Sequence, residues 1–172
     1  MAEAQTRDDL AARVQALEDR IAIEEIFHAY FGYGRSKDHA GLTGFFAPDF
    51  YLDINGAIAT NADELLALYK MVGAAKPRLT GKFHMQLTNF LIKVDGDRAT
   101  CSLLWTQQLN DTIKGPPRYI EQGREFDWLV RLDGVWKIKK RIVIADSGSP
   151  DCFDGTWTPR PDFSFETEAA PW

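Results

Sequence analysis

The chain has 172 residues, 45% hydrophobic and 26% charged, with a formal net charge of −5. That size and balance suit one globular domain able to bury its own core, and no run approaches membrane-spanning length. The acidic balance argues against a nucleic-acid partner, because binding phosphates takes a basic patch.

Residues 8–33 read as one long amphipathic helix. Leu10, Val14, Leu17 and Ile21 recur at helical spacing, and Ile23, Ile26, Phe27 and Tyr30 continue an apolar face until Gly32 and Gly34 end it. Met1 to Leu10 lacks the apolar stretch of a signal peptide, so a cytoplasmic location and no membrane partner are expected. Asp38 is placed to cap a second short helix through Leu42, Phe45 and Phe46, stopped by Pro48. Phe50 to Ile54 reads as a strand closed by the turn Asn55-Gly56. A third helix follows, with Asn61 and Glu64 spaced as a capping box and Lys76-Pro77 as its breaker.

From residue 80 the periodicity changes to two. Strands are predicted near 82–94, 98–110, 119–132 and 135–146, with hairpin signals at Asp95-Gly96 and Asp133-Gly134. The densest basic run, Lys137-Ile138-Lys139-Lys140-Arg141, alternates like a strand. Helices first and an antiparallel meander after predict an α+β domain over residues 1–146, with the helices on one face of the sheet. Residues 147–172 differ, mixing four prolines with Phe153, Trp157, Phe163, Phe165 and Trp172. They are expected to form an extended arm packed on its own domain, over a pocket mouth, or on a neighbouring subunit.

Cys101 and Cys152 fit no metal or redox spacing, and Cys101 is expected to be a buried thiol. No metal or cofactor is implied. The chemistry therefore centres on His84, one of only three histidines and a natural general base near neutral pH. Simple alternation puts His84, Gln86, Thr88, Phe90, Ile92 and Val94 on one face, so an apolar floor gives way to polar tips, as in a ligand cavity. Cys101, Leu103 and Trp105 share parity on the next strand, as do Phe126, Trp128 and Val130 later. Either set could wall a hydrophobic ligand. Arg141 faces away from Trp136 and Ile138 by the same alternation, so only a bulge would turn it inward.

The order of these segments resembles the nuclear transport factor 2-like superfamily, in its SnoaL-like branch, over about residues 10–146. The residues that carry it are Ala29-Tyr30-Phe31-Gly32-Tyr33, Pro48-Asp49-Phe50, His84-Met85-Gln86-Leu87-Thr88-Asn89 and the Asp-Gly hairpins. The resemblance implies a cone-shaped, strongly curved antiparallel sheet wrapped around the helices, open at one end into an apolar pocket. Scytalone dehydratase, bile-acid 7α-dehydratase, ketosteroid isomerase, diarylpropane lyases and non-catalytic binding domains share that fold. It also implies that Tyr30 assists a leaving oxygen while His84 moves a proton. Arg35 stands where such dehydratases carry the aspartate that pairs with the histidine. An arginine there would keep His84 neutral and could steady an anion such as a phenolate, unless it lies on the surface at the helix end.

The function expected from this resemblance is a cofactor-independent lyase acting on a bulky aromatic alcohol, by dehydration or by carbon–carbon cleavage through a quinone methide. His84, Tyr30 and Arg35 would be catalytic, with Tyr33, Gln86, Trp105, Trp128, Asp53 and Arg141 in contact with substrate. A binding module without turnover, or an isomerase or cyclase, are the alternatives. A homo-oligomer, dimer or trimer, is also expected.

Overall fold

The computed structural model describes residues 2–36, 39–75, 82–110, 112, 114–148 and 159–172. Helix α1 runs Ala2–Ser36, a 3-10 helix follows at His39–Phe45, and α2 spans Ala62–Ala75. The strands are β1 Phe46–Ile54, β2 Ala57–Ala59, β3 Lys82–Asp95, β4 Arg98–Asn110, β5 Arg118–Leu132 and β6 Val135–Gly148. They form one sheet in the order β2-β1-β6-β5-β4-β3, antiparallel except where β1 lies parallel to β6. The α+β class holds, with both helices in the concavity of a curved sheet.

Local chemistry accounts for the joints. Asn55-Gly56 and Asp133-Gly134 put both residues at positive φ (52° and 91°; 50° and 80°), the hairpin turn whose twist matches the strands. The α2 cap is split. Asn61 Oδ1 accepts from the Glu64 amide at 3.0 Å, whereas the Glu64 carboxylate accepts from the Thr60 amide at 2.7 Å.

Curvature comes from bulges, each an extra residue that bends its strand and reverses the alternation beyond it. In β3 the pairing steps from Thr88↔Leu104 to Leu91↔Ser102, so Asn89 and Phe90 together oppose Leu103, with Asn89 in left-handed backbone at φ 58°. In β6 it steps from Ile138↔Leu129 to Lys140↔Trp128, leaving Lys139 as the extra residue. Gly123 sits at another shift between β5 and β6. A Cβ there would lie 1.9 Å from the Ile144 carbonyl oxygen and 2.8 Å from the Trp105 ring, so only glycine fits.

The concave face holds the main core: Ile23, Phe27 and Tyr30 of α1 against Leu52, Leu65, Leu103, Trp105 and Ile138. At its narrow end Asp19 pairs with Arg131 at 2.8 Å and accepts from the Trp136 indole at 3.2 Å. This ties α1 to the β5–β6 hairpin. The convex face carries a second apolar cluster, Phe126, Trp128, Ile142 and Ile144, covered by Phe163 and Phe165 of the C-terminal segment. Arg124 clamps that segment, chelating Asp146 and donating to the carbonyls of Arg160 and Phe163.

Candidate functional site

Strand parity sorts the predicted residues. Upstream of the β3 bulge, Met85 and Leu87 pack into the core, while His84, Gln86 and Thr88 are exposed on the convex face. His84 lies opposite Gln108, and Gln86 accepts from the Gln108 amide at 3.3 Å. The inward placement of His84 and Gln86 is therefore corrected: unbroken alternation from Ile92 back to His84 ignored the residue inserted at Asn89. His84 and Tyr30 stand on opposite sides of the sheet and do not form a pair.

Trp128 is also corrected. It is convex, buried under Phe165 with ring centroids 4.9 Å apart. Asp53 belongs to the same side, accepting from the Gly56 amide at 2.7 Å and pairing with Arg160 at 3.0 Å. Trp105 does face inward, its indole donating to the Arg124 carbonyl at 3.2 Å. Tyr33 and Arg35 lie in the last turns of α1, and their side chains are outside the described residues, as are Asp38 and Cys152.

The bulge at Lys139 turns Arg141 inward, where it becomes the centre of a buried ionic cluster. Its Nε donates to Asp127 Oδ1 at 2.6 Å, and its Nη2 lies 3.1 Å from Glu125 Oε1. Glu125 and Asp127 project inward from β5, either side of the convex Phe126. All three are closed to solvent, at 0–1% exposure. The guanidinium stacks 4.3 Å from the centre of the Tyr30 ring, and the Tyr30 hydroxyl is hydrogen-bonded to that of Tyr69 on α2. Cys101, directly paired with Asp127, completes the floor.

Two carboxyls share one cation here, and removal from water disfavours every charge. Burial pushes Glu125 well above the usual carboxylate range; Arg141 opposes this, and Asp127 adds to it by its charge and a hydrogen bond. Burial also raises Asp127, against the charge and hydrogen bond of Arg141. Burial alone would weaken Arg141 as a cation, but Asp127 and Glu125 reverse that and hold it charged. These directions favour a cationic Arg141 and a proton retained on the carboxyl pair, Glu125 being raised the more strongly. Burial likewise keeps Tyr30 a phenol and Cys101 a thiol.

The cluster is incompletely satisfied. Among the described residues, Arg141 Nη1 and Nη2, Glu125 Oε1 and Asp127 Oδ2 are buried without a hydrogen-bond partner, Nη2 and Oε1 being in ion-pair contact only. Unsatisfied donors and acceptors thus lie close together, and a hydroxyl group, which can accept and donate at once, would suit both. Toward the wide end of the cone the concave wall continues through Trp105, Leu87, Gln107 and Met85. A surface hollow of about 430 Å³ beside Pro159, Arg160 and Phe163 is separate from this cluster and open to solvent. Among the described residues no group of His, Cys, Asp and Glu is arranged to hold a metal, and no helix is long and apolar enough to cross a membrane.

Glu125, Asp127 and Tyr69 were not anticipated. The available signal was the tail: Phe163 and Phe165 need an apolar seat, and Phe126 and Trp128 supply it only by facing outward. That leaves Glu125 and Asp127 facing in.

A curved sheet enclosing helices, with polar groups gathered in the concavity, defines a nuclear transport factor 2-like α+β protein. The SnoaL-like domain profile matches residues 15–142, and the chain belongs to that family. Among solved structures, an NTF2-like protein with a cystatin-like fold from Novosphingobium aromaticivorans superposes with TM-score 0.66 at 23% identity, covering 81% of this chain and 90% of that one. A protein from the same organism, provisionally named a scytalone dehydratase, gives TM-score 0.63 at 20% identity, covering 84% and 91%. Rv3472 of Mycobacterium tuberculosis, of unknown function, gives 0.63 at 23%, covering 80% and 77%. No curated protein matches the sequence.

Proposed function

We propose that the protein is a cofactor-independent lyase that removes a hydroxyl group from a bulky hydrophobic, phenolic alcohol inside the cone. The observation that supports this reading is the buried carboxyl pair, Glu125 and Asp127, held on Arg141 beside the Tyr30 ring. Elimination of water takes one proton from the substrate and delivers one to the departing hydroxyl. Asp127 can accept the first, Glu125 can give the second, and the cluster ends one turnover with the proton count it began with. Arg141 would stabilise the negative charge that develops on oxygen, at a strength only a dry site allows. Tyr30, held as a phenol, would bind the leaving oxygen. His84 has no part in this scheme. Because the cluster is closed to solvent, substrate access requires movement at the wide end of the cone.

The same closure favours a second reading, a domain without turnover in which the cluster only anchors β5 to β6. A mass-resolved screen of hydroxylated aromatic compounds, with no added cofactor, distinguishes the two. Loss of water, or of formaldehyde, is expected, and Glu125→Gln and Tyr30→Phe should each reduce it about 100-fold or more while the protein stays folded. Binding without a change in mass would sink the lyase reading.

A further inference from the structure

Helix α1 carries two apolar stripes, and the domain uses only one. Ile23, Ile26, Phe27 and Tyr30 face the core, together with the ion-paired Asp19. Leu10, Val14, Leu17 and Ile21 point the other way, each 44–62% exposed. At 3.6 residues per turn the centres of the two stripes lie roughly 170° apart around the helix. The outer one is therefore not the fringe of the core face. Residues 9–18 are exposed on all sides, so this half of α1 runs on beyond the domain surface.

The outer stripe advances by four, three and four residues, the a/d spacing of a coiled-coil seam. With Leu10 and Leu17 at d and Val14 and Ile21 at a, the flanking g positions are Arg13 and Arg20, and the flanking e positions are Glu18 and Glu25. All four are exposed. In a parallel pair each g residue meets the e residue five positions on in the other strand, so Arg13 faces Glu18 and Arg20 faces Glu25 of the second copy. An antiparallel pair would oppose arginine to arginine and glutamate to glutamate. β-Branched residues at a with leucine at d select two strands.

We propose that a second copy of this chain docks on this stripe, giving a parallel homodimer through the N-terminal halves of α1. The partner is chosen by the seam's self-complementary charges, and the convex face of the sheet, already covered by Phe163 and Phe165, is left out of the contact. The rest of α1 is anchored in the domain, so helix formation does not have to be driven by the association. The seam is four residues long, so the dimer should dissociate on dilution.

Sedimentation velocity on the full chain across a concentration series tests this. The chain should approach twice the monomer mass as concentration rises, and Val14→Glu/Leu17→Glu should remain monomeric with an unchanged thermal unfolding curve, since both sites are exposed. Arg13→Glu/Arg20→Glu and Glu18→Lys/Glu25→Lys should each be monomeric alone and pair when mixed. A wild-type chain that stays monomeric throughout overturns the proposal. So does association that survives Val14→Glu/Leu17→Glu, which would place the contact elsewhere, or recovery on anionic phospholipid vesicles in place of self-association.

Discussion

β3 has an inserted residue at Asn89 and β6 has one at Lys139, and these two insertions have opposite consequences for the placement of polar groups. At Asn89 the bulge sends His84, Gln86 and Thr88 outward and gives the concave side to Met85 and Leu87. At Lys139 it sends a full positive charge inward. A bulge inverts parity without regard to polarity, so the surroundings decide whether the inversion is tolerated. Arg141 is tolerated because Asp127 and Glu125 are waiting on the neighbouring strand, whereas among the described residues no such carboxyl pair faces the inner side of β3. The difference is why the proposed chemistry is assigned to β5 and β6 rather than to β3.

The sharpest way to break this contrast is to remove the cation. Arg141→Met is expected to cost about 3–5 kcal/mol, because it leaves the carboxyl pair buried without a counter-charge. Urea unfolding would read this, and Arg141→Met combined with Asp127→Asn and Glu125→Gln should recover much of the loss. If the single variant is as stable as the parent, the cluster is not the ionic unit described. In β3 the corresponding change is milder. Asn89→Val puts a β-branched residue at φ 58° and should destabilise by about 1–3 kcal/mol, while Asn89→Gly should fall within a few tenths.

The fold was largely legible because its signals are local. Asp-Gly turns, the Asn61 cap and the alternation of four strands depend on neighbours within a few residues, and their bounds agree with the structure to within two. The site was less legible because parity is cumulative: one unrecognised residue inverts everything beyond it. Asn89 can be read as a left-handed position only once its pairing is known, and Lys139 carries no local mark. Gly123 does carry a local mark that went unread, since a lone glycine inside a strand signals close backbone approach. The inward placement of Tyr30 agrees with the structure because helical phase was fixed by many core residues at once, whereas the placement of His84 rested on one unbroken count of two.

Proton linkage sharpens the contrast further, through a smaller effect. Folded Glu125 keeps a proton that the unfolded chain releases above its ordinary value of 4.5. Over that range the native state binds more protons than the unfolded state, so this group makes stability fall as pH rises toward its raised native pKa. Glu125→Gln, which mimics the protonated form, should flatten that part of the stability–pH curve. An unchanged slope would mean that the proton resides elsewhere.

The smallest expected effect is the most discriminating between the two strands. His84→Ala removes an exposed imidazole from the convex side, opposite Gln108. It should change stability by no more than about 0.5 kcal/mol, the usual range for surface substitutions away from special features. It should also leave any turnover on phenolic alcohols intact, whereas Tyr30→Phe should not. Side-by-side rates for the two variants test the assignment without a ligand-bound structure. Loss of activity in both would mean that the convex side of β3 takes part after all, and that the chemistry cannot be confined to the cluster around Arg141.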